Sequence, residues 1–119
     1  MQAGVELTPL RTYREVAIML LNKIINEVNN YSIPFPRRKA AFLVVVSLTK
    51  SLLAHVKKHD QIERKLKMSI TEIDRELDRR QGESIDDYIE RTLPLIVNVL
   101  SEVAVAESEV YPSLDLKLW

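Results

Sequence analysis

Residues 37–80 read RRKAAFLVVVSLTKSLLAHVKKHDQIERKLKMSITEIDRELDRR, with neither glycine nor proline. Apolar side chains recur at threes and fours from Ala41 to Leu77, the spacing of one helical face. Val44, Val45 and Val46 are β-branched and, taken alone, suit a strand. The run nevertheless continues without a turn signal into Leu52, Leu53 and Val56, and no other segment offers a strand to pair with it. The stretch therefore predicts one long central helix, about 37–80, possibly bent near residue 60, or two helices meeting there. Asp60 and Glu63 stand at capping-box spacing after the polar pentad 57–61 and argue for a break. Val56, His59, Ile62, Leu66, Ile70, Ile73 and Leu77 keep near one face across the same point and argue for continuity. Unbroken, the helix would measure about 65 Å at 1.5 Å per residue. Ala40 to Leu48 is apolar nearly all round and is expected to be the most buried segment.

Upstream, Thr8 and Pro9 have the chemistry of a helix start, and Leu10, Tyr13, Ala17, Leu20, Leu21, Ile24 and Val28 mark the apolar face of the helix that follows. Asn29 and Asn30 close it, Tyr31 to Pro36 is an extended connection, and Pro36 can open the next helix. Downstream, Arg79 to Gly82 is a stop signal and Ser84 a fresh start, with Asp86, Asp87 and Glu90 where the helix dipole favours them. Ile85, Tyr88, Ile89, Leu93, Ile96, Leu100 and Val103 share the last face, which Pro94 should kink or restart. After Pro112, Leu114, Leu116 and Leu118 alternate with charges up to Trp119, the period of an extended segment. The expectation is an all-α fold, a four- to five-helix bundle: residues 1–110 form a single helical domain and residues 111–119 an extended C-terminal tail.

Composition agrees. Hydrophobic residues are 46% and charged residues 29% of 119, a globular rather than a disordered mixture, and two glycines leave little material for tight β-turns. With no cysteine, disulfide frameworks, thiolate zinc sites and cysteine nucleophiles are excluded, and an intracellular, cytoplasmic location is expected. The longest uncharged apolar runs, 40–49 and 92–101, fall short of the roughly 20 residues that span a bilayer, so no membrane partner is expected.

Net charge is zero but unevenly spread. Residues 37–67 carry nine basic against two acidic groups, and residues 68–119 five basic against twelve acidic. Such a split suits attraction within the fold or between copies, or a basic surface for a polyanion. On an unbroken helix Lys39, Lys50, Lys57, Arg64 and Arg75 would lie within about 40° of one another, a cationic stripe opposite the apolar face. Arg37, Arg38 and Lys39 crowd a helix start, where the dipole disfavours cations and an anionic partner would relieve them. Arg37, Arg38, Lys39, Lys50, Lys57, Lys58, Arg64 and Lys65 are thus the candidate contacts for DNA or RNA, bound without sequence preference. Leu114, Leu116, Leu118 and Trp119 are candidate partner-binding residues, or they close the domain's own core.

Catalytic signals are missing. Two glycines cannot build a phosphate-cradling loop, and no serine nucleophile sits beside a turn motif. His55, His59 and Glu63 have metal-like i, i+4, i+8 spacing, but nothing downstream supplies a further ligand, so neither a metal nor a cofactor is expected. The sequence thus points to a non-enzymatic assembly or adaptor module, a homo-oligomer or a subunit of a larger protein complex. A nucleic-acid-binding subunit is the alternative.

Overall fold

In the computed structural model, which describes residues 12–110, helix α1 (Tyr13–Lys23) opens with a reciprocal cap. Thr12 Oγ1 accepts from the Glu15 amide at 3.0 Å while the Glu15 carboxylate accepts from the Thr12 amide at 3.0 Å, so two otherwise unpaired helix-end donors are satisfied. The expected start at Thr8 lies outside the described residues; the cap of this helix is Thr12. A second grip comes from across the fold. Glu107, 7% exposed, accepts from the amides of Tyr13 at 3.3 Å and Arg14 at 2.7 Å. A carboxylate suits the positive end of a helix.

The last turn of α1 widens into a π-helix over Ile24–Val28, closed by the Asn29 amide on Ile24 O at 2.8 Å. Asn30 Oδ1 then accepts from the Ser32 amide, which shapes the connection. Helix α2 (Phe35–Val56) starts with proline in its first turn, as Pro36 predicts, and carries Val44 to Val46 in helical conformation. There is no strand among the described residues.

The unbroken helix of 37–80 does not form; of the two alternatives, the chain takes the break near residue 60. α2 ends at Val56, where the Lys58 and His59 amides turn back onto His55 O and Val56 O, and His59 is extended (φ −121°, ψ 90°). Two short helices follow, α3 (Asp60–Glu63) and α4 (Ile70–Glu76). The reason is packing. A rod of about 65 Å exceeds the 44 Å longest dimension of the molecule. Breaking it turns Ile62, Leu66, Ile70, Ile73 and Leu77 back onto the common core, where each is at most 9% exposed. Ser69 and Glu72 form the cap of α4, Ser69 Oγ accepting from the Glu72 amide at 3.1 Å.

α4 stops at Glu76, earlier than the Arg79–Gly82 signal; Gly82, at φ +79°, serves the turn that follows. Arg91 ties that turn down. Its Nε and Nη2 donate to Glu83 at 2.7 and 2.9 Å, while Nη1 and Nη2 donate to the carbonyls of Glu76 and Asp78. Helix α5 (Ile85–Val110) begins as Ser84 predicts, with Ser84 Oγ accepting from the Asp87 amide at 3.1 Å. It runs through Pro94 without restarting. Glu90, four residues earlier, and Pro94 are both exposed, so water can meet the carbonyl that proline leaves without a donor.

α1 packs along α5 and against α2, and α2, α3 and α5 also meet. The core they share holds Leu20, Ile24, Phe42, Leu53, Ile96 and Leu100, each at most 2% exposed. Phe42 meets the Tyr88 ring edge-on at 5.9 Å, and Tyr88 Oη donates to the Leu77 carbonyl, joining the end of α4 to α5.

Candidate functional site

Two faces of α2 have opposite fates. Ala41, Phe42, Val45, Val46, Thr49, Leu52, Leu53 and Val56 enter the core. Leu43, Val44 and Leu48 remain 44%, 47% and 43% exposed, so the segment 40–48, which its composition marks as the most buried, is buried along one side only. The correction has a physical cause: a helix resting on neighbours along one side leaves the other side uncovered, whatever its composition. Ala40, Ser47, Ser51 and Ala54 fill the rest of that outer face. Arg37 lies at its start, and His55 and Lys58 at its end, all exposed. α1 adds Ile18, Met19 and Ile25, the last 63% exposed, on its own outer side.

By length and composition α2 is also the one described helix apolar enough to cross a membrane, and 44% of its apolar window is buried inside the fold. The uncharged run 40–49 is too short to show this, because Lys50 interrupts the apolar stretch.

The cationic stripe does not survive the break in the helix. Lys39 and Lys50 lie on α2, Lys57 at its cap, Arg64 at the cap of α3 and Arg75 on α4. Several of these cations have partners inside the fold. Lys50 pairs with Asp78 at 3.0 Å and Lys65 with Glu109 at 3.4 Å, while Lys57 Nζ donates to Thr71 Oγ1 at 3.4 Å. Both ion pairs join the basic segment to the acidic one. Among the described residues, Arg37, Lys39, Lys58 and Arg64 have no ion-pair partner. Arg38 stacks over Tyr31 (4.7 Å to the ring centre) and Phe35 (5.2 Å), its Nε donating to Ile33 O at 3.0 Å.

Beside it lies an open cleft of about 340 Å³, with Arg38 and Lys39 among its lining and Asp86 and Glu90 contributing opposite charge. None of the four forms an ion pair across it.

His55, His59 and Glu63 are not on one helix, since the chain turns between the histidines. His59 instead meets the Tyr13 ring edge-on at 5.4 Å. Among the described residues, no group of three or more potential metal ligands is gathered. The tail residues Leu114, Leu116, Leu118 and Trp119 lie outside the described residues.

Among the described residues three titrations are displaced, all around one structural knot. The Arg91 hydrogen bond, with the Arg80 amide second, holds the Glu83 carboxyl down at about 2. The same bond to Glu83 raises Arg91. Burial raises the Tyr88 phenol. These groups fasten the α4–α5 turn. No protein-family model matches the chain, and neither does any curated protein or solved structure.

Proposed function

We propose that the chain is a non-catalytic assembly or adaptor module, a small helical-bundle subunit that engages another protein through the outer face of α2. One observation carries the reading: Leu43, Val44 and Leu48 stand 43–47% exposed on a helix whose other side is fully used by the core. Contiguous exposed apolar side chains are characteristic of contact surfaces, whereas isolated ones are ordinary.

Sedimentation and affinity capture test it, with the full chain and with Leu43→Glu/Leu48→Glu, whose fold is checked by circular dichroism. The wild type should associate, with itself or with captured protein, and the double variant should not. A monomeric wild type that captures the same proteins as the variant would sink the proposal.

Binding to DNA or RNA is the second reading, supported by Arg37, Lys39, Lys58 and Arg64, which have no ion-pair partner within the fold. Its mark would be affinity for a short duplex or single strand that falls steeply with salt and is lost in Arg37→Glu/Lys58→Glu/Arg64→Glu. Salt-independent binding, or none, removes it.

A further inference from the structure

We infer that the partner of the outer α2 face is an amphipathic helix with acidic residues near both of its ends, a reading that rests on the assembly role proposed above. The face runs from a cation through an apolar middle to a cation: Arg37, then Leu43, Val44 and Leu48, then His55 and Lys58, all exposed. From Arg37 to Val56 the helix rises about 28 Å at 1.5 Å per residue, with Lys58 in the turn just beyond, so a complementary helix of about six turns reaches both charged ends. Its apolar residues, at threes and fours, meet the middle, and its carboxylates meet Arg37 and Lys58. Such a helix laid against an apolar groove is a recurrent mode of recognition.

The charges select this occupant over others. Neither Arg37 nor Lys58 has an ion-pair partner among the described residues, and both are exposed. Arg37 also stands in the first turn of α2, which has no acidic residue and no side-chain cap. A carboxylate arriving there relieves an unfavourable contact between cation and dipole as well as forming a pair.

A second copy fits poorly. Packed antiparallel about the middle of the face, Arg37 of one copy meets Lys58 of the other, and packed parallel each cation meets its own counterpart; like charges reject both arrangements. An anionic bilayer is less well matched, because a helix lying in an interface is charged along its length, whereas these cations stand at the two ends of an apolar middle. A phosphate backbone gains nothing from Leu43, Val44 and Leu48 in the centre of its footprint.

A displayed library of 24-residue helical peptides, with randomised faces, is selected on the full chain and counter-selected on Leu43→Glu/Leu48→Glu. Winners should carry apolar residues at helical spacing with Asp or Glu near both ends. Their affinity should drop about tenfold or more in Arg37→Glu/Lys58→Glu and fall as salt rises. Winners without terminal acids, equal retention by the counter-selected variant, or no enrichment would overturn the inference. So would stronger binding of the wild type to phosphatidylserine vesicles than to any selected peptide. If the peptides fail while sedimentation still shows association lost in Leu43→Glu/Leu48→Glu, the assembly role stands and only this partner falls. If neither sedimentation nor affinity capture shows association that Leu43→Glu/Leu48→Glu removes, both fall.

Discussion

Replacing Thr49 with valine should stabilise the protein. Thr49 sits on the core face of α2 with no exposed surface, and its Oγ1 has no hydrogen-bond partner. A buried hydroxyl in this position costs about 1–3 kcal/mol of desolvation that no bond repays. Valine keeps the branched shape, has nearly the same helix propensity, and removes only the polar atom. The expected gain is about 1–2 kcal/mol. With unfolding entropy of about 2.1 cal/mol/K per residue over the roughly 100 described residues, that is a rise of roughly 5–10 °C in Tm.

Urea unfolding followed by circular dichroism gives the same quantity independently: the midpoint should move up with an unchanged slope, the sign of altered stability rather than altered compactness. Thr49→Ala separates the contributions, since it removes the hydroxyl but leaves a hole where the methyl was, and should fall below Thr49→Val. A Thr49→Val protein that is no more stable than wild type, or less so, would refute the reasoning. It would mean that the hydroxyl is satisfied in solution, by the carbonyl one turn back or by a trapped water.

Further expectations follow from the same packing. Leu53→Ala, at a site with no exposure, should cost about 2–5 kcal/mol, whereas Leu48→Ala, 43% exposed five residues earlier, should cost about 1 kcal/mol or less in dilute solution; chemical denaturation of the pair shows whether the outer face is uncovered. Gly82→Ala should lose about 1–2 kcal/mol through backbone strain alone, because at φ +79° an added Cβ meets nothing within 4 Å. Glu83, held at about 2 against 4.5 for an unperturbed carboxyl, contributes stability that is complete above about 4.5 and is lost as pH falls toward 2. Glu83→Gln should therefore melt lower than wild type near neutrality and converge with it near pH 2, and parallel melting curves across that window would count against the Arg91 contact.

Much of the helical framework is readable from local residues. Asn29, Pro36 and Ser84 act where their chemistry says they should, because capping and ring geometry are settled within a turn of the chain. The break after Val56 is harder to see, since the apolar phase runs on through Ile62 and Leu77. Against it stands the capping-box spacing of Asp60 and Glu63, which marks the right place without requiring the chain to turn there. Once the rod is lost the cationic stripe is lost with it, its angular alignment having depended on continuity. The outer face of α2 escaped notice for a different reason: where every position is apolar, periodicity has no contrast with which to tell the covered side from the open one. The hold of Glu107 on α1 is beyond any local reading, its donors being more than ninety positions away.

That hold also governs how the molecule comes apart. Because one carboxylate closes the first turn of α1 from the final turns of α5, fraying at either end strips the other of its partner, and the two should open as one cooperative unit. Amide hydrogens over 13–16 and 104–110 would then exchange at a common rate, and the clasp, spanning nearly the whole described chain, is a contact that folding completes late.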